Sequence, residues 1–218
     1  MLARLLIYPL CLLVGALLAV VAGVLHPDLA GDGAAQLTTI AQCAGWRAIH
    51  WTFLFGFPLA LTGLVGLARA HAGNPGESAV RAGLIVATFA YGAWTVTVAF
   101  MGSAGGSLAH SFTVAEAGMT ATRAVFLFDM IHPFALATQR VAGFALGLST
   151  CLFGWGVSEG KVLPRWLGTT GLAAGAVAMA LAVAFPETTK ADQAAFVLPV
   201  LWQAVTAIVM LRAVVRRG

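Results

Sequence analysis

Six apolar runs, each about twenty residues long, constrain this chain more than any other feature, because that is the length a bilayer core requires. They fall near residues 5–25, 49–67, 82–101, 134–157, 167–185 and 195–211 of a 218-residue chain. Only 9% of the residues are charged and 60% are hydrophobic, against roughly a quarter and roughly a half in ordinary soluble domains. A chain of this kind reads as all-α: a polytopic membrane helix bundle in one integral domain. The first run carries Arg4 ahead of a long apolar stretch with no A-x-A site before His26. It is expected to be the first transmembrane helix rather than a cleaved signal.

The cations sort into two sets along this layout. Arg4, Arg69, Arg81, Lys161, Arg165, Arg212, Arg216 and Arg217 fall on one side, and Arg47, Arg123, Arg140 and Lys190 on the other. The positive-inside rule then expects both termini in the cytoplasm of a multi-pass inner-membrane protein. The net charge of +4 carries no nucleic-acid reading, because the basic residues form no patch interleaved with aromatics. Cys11, Cys43 and Cys151 form no CxxC pair, which leaves out a disulfide framework and a zinc knuckle. No nucleophile elbow, P-loop, dinucleotide fingerprint or EF-hand occurs.

The stretch from His110 to Arg140 departs from the apolar pattern, gathering His110, Glu116, Arg123, Asp129, His132, Gln139 and Arg140. Ionisable groups at membrane depth are costly and mark function by default. Residues 110–133 are expected to form an outer-side segment, amphipathic or re-entrant, rather than a seventh span. Thr113-x-x-Glu116 has capping-box spacing and would start its helix, and His132-Pro133 would end it. The glycine-rich run after residue 101 reads as a flexible link. His26-Pro27 closes the first span, Asn74-Pro75-Gly76 is a turn signal, and Gly143-x-x-x-Gly147 and Gly171-x-x-x-Gly175 offer close-packing faces. The ends of the first and fifth spans, GALLAVVAGVLHPD and GAVAMALAVAFPE, faintly echo one another, as repeats in transporters do.

The residues Gly160-Lys-Val-Leu-Pro-Arg-Trp-Leu-Gly168, leading into Gly171 and Gly175, carry a family likeness. Over residues 134 to 185 the chain resembles a bacterial membrane family designated domain of unknown function 4386. The resemblance implies the six-span layout and brings no activity with it.

Four histidines, His26, His50, His110 and His132, fall on the outer side with Asp28, Glu116 and Asp129. They are candidate ligands for a haem or a transition metal, which His and carboxylate groups hold, though no HxxxH or HExxH motif places them. Against this stands the plainer reading of helix-end and loop histidines. His50 is the strongest single candidate: it lies one turn inside Trp46, with Phe53 and Phe57 continuing its face. Asp129 and His132, three residues apart on a helix, form a candidate acid–base pair with His50. Arg47, Trp51, Arg123, Gln139 and Arg140 are candidate substrate contacts, with an ion-pair network as the alternative role for the arginines.

Three functions compete on these residues. One is an outer-face site binding a metal, haem or lipophilic ligand, with redox chemistry as an option. Another is a cofactor-free isomerase or cyclase of a lipophilic substrate. The third is a small transporter or structural membrane protein, for which Thr95, Thr97 and Gln203 are the deepest polar groups. The bilayer itself is the one partner the composition demands.

Overall fold

The computed structural model describes residues 2–114, 120–186 and 190–216, with side-chain surroundings from residue 6 and, in the last stretch, from residue 193. The helices in order are α1 (Leu2–Leu25), α2 (Gly33–Gln42), α3 (Trp46–Ala70), α4 (Glu77–Phe100), α5 (Gly106–Thr113), α6 (Ala121–Glu159), α7 (Arg165–Ala184) and α8 (Lys190–Val215). A π-helical turn, Met101–Gly105, joins α4 to α5 without a break. Among the described residues, six helices are long and apolar enough to cross a membrane, in line with the six runs. They alternate in direction, so residues 2 and 216 lie at one end of the bundle. That end also carries His71; His26 and α2 mark the other.

The expected outer-side segment takes a different form. Its first part continues α4 through the π turn into α5, and its second part is the beginning of α6. The 39 residues of α6 extend about 58 Å at 1.5 Å per residue, nearly twice a bilayer core of about 30 Å. Helices α5 and early α6 are therefore arms projecting past the spans. Thr113 ends a helix instead of starting one: its hydroxyl donates back to the Ala109 and His110 carbonyls. The helix start is Thr120, whose side chain accepts from the Arg123 amide at 3.2 Å. Glu116 lies outside the described residues. Pro133 does not end the segment, since α6 runs through it. Proline inside a spanning helix is tolerated where neighbouring helices surround the freed carbonyl.

The glycine-rich run is likewise helical rather than a loose link, and its glycines serve contact. A Cβ at Gly102 would lie 2.6 Å from the Cβ of His50, so only glycine lets the π turn pass this close to α3. The indole N–H of Trp46 donates to the Met101 carbonyl at 2.7 Å and fastens the crossing.

A small core caps the His26 end. Leu37 and Ile40 of α2 pack with Trp46, Met101, Ala109, Ala124 and Phe128. The helix α2 interrupts what reads in sequence as a polar loop. Asp32 caps it by accepting from the Ala35 amide at 2.9 Å. The main core runs the length of the bundle from Leu12 to Met210.

The glycine faces on α6 and α7 meet as their spacing suggests. A Cβ at Gly154 would stand 2.5 Å from the Leu172 amide nitrogen and 2.7 Å from the Gly168 carbonyl. Gly143 is the exception, lying under the Phe196 ring of α8. At the His71 end, Asn74-Pro75-Gly76 forms the turn between α3 and α4, with Gly76 at φ +84°.

Candidate functional site

A cavity of about 780 Å³ opens at the His26 end, among α1, α3, α4, α6, α8 and the chain just after α1. That volume lies within the range of small-molecule sites, about 300–1,000 Å³. His26, Asp28, His50, Thr97, His132 and Gln139 supply its polar wall, and Gln193 joins them from α8. Three of the four histidines expected on the outer side thus converge although they are 24 and 82 residues apart in sequence.

His50 is buried. Its Nδ1–H donates to the Trp46 carbonyl at 2.8 Å. A carbonyl only accepts, so Nδ1 holds the ring proton and Nε2 is left as an acceptor in the neutral ring. His26 repeats the pattern, its Nδ1–H donating to the Pro27 carbonyl at 2.8 Å. Burial holds the His26 imidazole below its ordinary pKa, against the opposing pull of that hydrogen bond and of Asp28. The rings of His26, His50 and Trp46 form a triangle with centroids 4.3 to 5.3 Å apart. His132 is also buried and stacks on Phe128 at 4.5 Å.

Aromatic rings close the cavity toward the bundle centre. Trp94 contacts Phe196 at 4.3 Å and Phe53 at 5.5 Å, and all three line the space. Beneath them Phe57 and Tyr91 continue the stack. Tyr91 donates its hydroxyl proton to Oε1 of Gln203 at 2.7 Å, and both residues are buried. Thr97 donates to the Ala135 carbonyl at 2.8 Å, tying α4 to α6 beside the cavity.

One side wall is open to the surroundings. Val24 of α1 is 79% exposed, and Val197 and Leu201 of α8 are 47% exposed, yet all three line the cavity. Residues that face both the surroundings and the interior mark a lateral mouth along the α1–α8 seam. Gly23 stands in that mouth, and a Cβ there would meet nothing within 4 Å.

Other sequence candidates lie elsewhere. Asp129 faces α2, its carboxylate against Gly33 at the start of that helix, where a negative charge complements the helix dipole. It lines no part of the cavity, so the triad of Asp129, His132 and His50 is not assembled around one space. His110, Arg47, Trp51 and Arg123 are exposed and outside the lining. Arg140 turns to the end of α7, its guanidinium donating to the Phe185 carbonyl at 3.1 Å.

The bis-histidine haem reading meets a geometric limit, and the metal reading lacks a third ligand among the described residues. Two imidazoles on opposite sides of one iron need ring centroids about 6 Å apart, given metal–nitrogen bonds near 2.0 Å. His26 and His50 are 5.3 Å apart and edge-on. Among the described residues, no three His, Cys, Asp or Glu side chains come together as a metal site.

Fold and cavity together define a multi-pass helical membrane protein with a polar-tipped, laterally open chamber at one end. No protein-family model matches the chain, and no curated protein or solved structure matches it. The family likeness of residues 134 to 185 is thus carried by the sequence text alone.

His26, His50, His132 and Gln139 were legible as polar groups in apolar surroundings. Thr97 was legible only as one of the deepest polar groups. Gln193, Phe196 and Gly23 carried no signal separating them from ordinary membrane-helix residues.

Proposed function

We propose that this protein binds a neutral lipophilic molecule whose polar head donates hydrogen bonds, taking it from the bilayer through the α1–α8 mouth. The observation that carries this reading is the convergence of His26 and His50 with both Nδ1 protons already committed to backbone carbonyls. The head therefore meets two Nε2 acceptors, while the chain of the ligand meets Phe53, Trp94 and Phe196. Asp28 in the same wall disfavours an anionic head. The positive-inside rule, applied to the cations of the His71 end, puts this chamber in the outer leaflet and the termini in the cytoplasm. Binding precedes cofactor-free catalysis because the one carboxylate paired in sequence with His132 points to α2 instead. Redox function ranks lower, through haem because of the His26–His50 spacing and through a metal because the described residues bring no third ligand to that pair.

The test uses a matched pair of probes, hexadecanol and its methyl ether, with protein in nanodiscs of neutral lipid. One donated hydrogen bond contributes about 1 kcal/mol, so the alcohol should bind roughly five- to tenfold tighter. His26→Phe/His50→Phe together should remove most of that preference, and Gly23→Trp should weaken both probes by filling the mouth. Equal affinity of wild type for alcohol and ether would overturn the donor assignment. Unchanged binding in Gly23→Trp would overturn the lateral route.

A further inference from the structure

The His71 end carries a second hollow, smaller and of opposite chemistry. It measures about 250 Å³ and lies between the α6–α7 turn and the end of α8. Leu163, Pro164, Trp166 and Val209 give it apolar walls, and Arg212 of α8 and Arg216, one residue past the end of that helix, line it. The Arg216 amide still donates to the Arg212 carbonyl at 3.1 Å, so the two arginines, four residues apart, share a face.

The acids of this end are already engaged. Glu77 pairs with Arg81, and Glu159 accepts from the Trp155 indole at 2.6 Å. Arg69 donates to the Tyr8 hydroxyl at 2.6 Å. Among the described residues, Arg81–Glu77 is the one ion pair, so neither arginine of the notch has an acidic partner. The helix dipole accounts for a cation in the last turn of α8. It does not account for two guanidinium groups lining one concave, apolar-walled space. Trp166 is 51% exposed at the start of α7, as interfacial tryptophans are, which sets the notch at headgroup depth.

We propose that this notch holds the phosphodiester headgroup of an anionic glycerophospholipid, with Arg212 and Arg216 on the phosphate and an acyl chain along Val209 and Trp166. Guanidinium groups match phosphate oxygens through paired N–H donors, and basic pockets between spanning helices bind anionic headgroups. This site is separate from the chamber at the His26 end and does not depend on it.

The test is retention of lipid, counted by native mass spectrometry after release from nanodiscs of mixed phosphatidylglycerol and phosphatidylcholine. Wild type should retain phosphatidylglycerol preferentially. Each arginine near an anionic surface is worth about fivefold, so R212Q/R216Q should lower retention roughly 25-fold. Val209→Trp keeps every charge and fills the notch, and should lower retention comparably. Arg47→Gln, at the opposite end, should change nothing. Retention unchanged in Val209→Trp would overturn the notch in favour of diffuse charge attraction. Equal retention of phosphatidylcholine would overturn the anionic assignment. Stabilisation by inorganic phosphate alone, matching that by phosphatidylglycerol vesicles, would overturn the lipid in favour of a free anion.

Discussion

The hydrogen bond from Tyr91 to Gln203 lies at the foot of the aromatic stack that closes the chamber, and its energy can be isolated. Both side chains are buried and the bond is 2.7 Å long. Gln203→Leu removes the acceptor and strands the tyrosine hydroxyl in apolar surroundings. That should cost about 1–3 kcal/mol, the desolvation of an unpaired buried polar group. Tyr91→Phe removes the donor instead, leaving an amide that also loses its partner, and should cost about as much. The double variant leaves neither group unpaired and should recover part of the sum. In membrane proteins such couplings average about 0.6 kcal/mol and reach about 1.7. Burial of both partners places this pair toward the upper value. The assay is reversible unfolding of the four proteins in bicelles by increasing detergent denaturant. Single-variant costs that add within about 0.4 kcal/mol would refute the bond as an energetic unit.

Other expectations concern pH and packing. Burial depresses the pKa values of His26 and His71, so the unfolded chain binds more protons than the folded one between the folded value and about 6.5. Stability should be flat above neutrality and fall as pH drops below about 6.5. His71→Gln should flatten part of that loss; an unaltered pH profile in both His26→Gln and His71→Gln would remove these groups as its source. His71 is buried with Nε2 unpartnered beside Gly160, so protonation there finds no acceptor. Gly154→Val should destabilise by about 1–3 kcal/mol or more, since its Cβ would stand against the α7 backbone rather than a yielding side chain. Thermal unfolding in detergent checks it, and wild-type stability would contradict the close α6–α7 seam.

The spans could be read because membrane helices declare themselves by length and apolarity alone. The continuity of α4 with α5, and of α6 through Pro133, could not. Proline and glycine runs read locally as helix stops, whereas in the fold the glycine run is held by its close passage of His50 and by the Trp46 bond to Met101. The π turn depends on Gly102 passing His50, a contact between residues 52 positions apart that no local pattern reports. His26, His50 and His132 were each legible as unusual, yet their meeting depends on how α1, α3 and α6 are rotated. Rotation also sets Asp129 outside the cavity lining. Its three-residue spacing from His132 is genuine helix geometry, but on α6 the histidine turns inward to the cavity while the aspartate turns to α2. Asp32, followed by Leu37 and Ile40, was a readable start for α2, obscured by the Gly-Asp-Gly text around it.

The two hollows differ in the charge they can accept, and the difference follows from how each end uses its hydrogen-bond donors. At the His26 end, the imidazole protons are spent on backbone carbonyls and Arg140 is spent on Phe185. At His26 and His50 the chamber presents Nε2 acceptors, and the Asp28 carboxylate stands in the same wall as the Gln139 and Gln193 amides, a mixture that suits a neutral head better than a phosphate group. At the His71 end the acids are spent instead, on Arg81 and on Trp155, leaving Arg212 and Arg216 to a phosphate. Abundant anionic lipids would thus be held at one end and turned away from the other. A chamber open sideways to the bilayer needs such a filter, because every lipid in the leaflet competes for its mouth. Selectivity by head chemistry rather than by chain follows, since the walls at Val24, Val197 and Leu201 offer any alkyl chain the same contact. Replacing Asp28 with Asn should therefore admit anionic probes: hexadecanoate should gain affinity relative to hexadecanol at pH 8. An unchanged ratio would show that Asp28 takes no part in the discrimination.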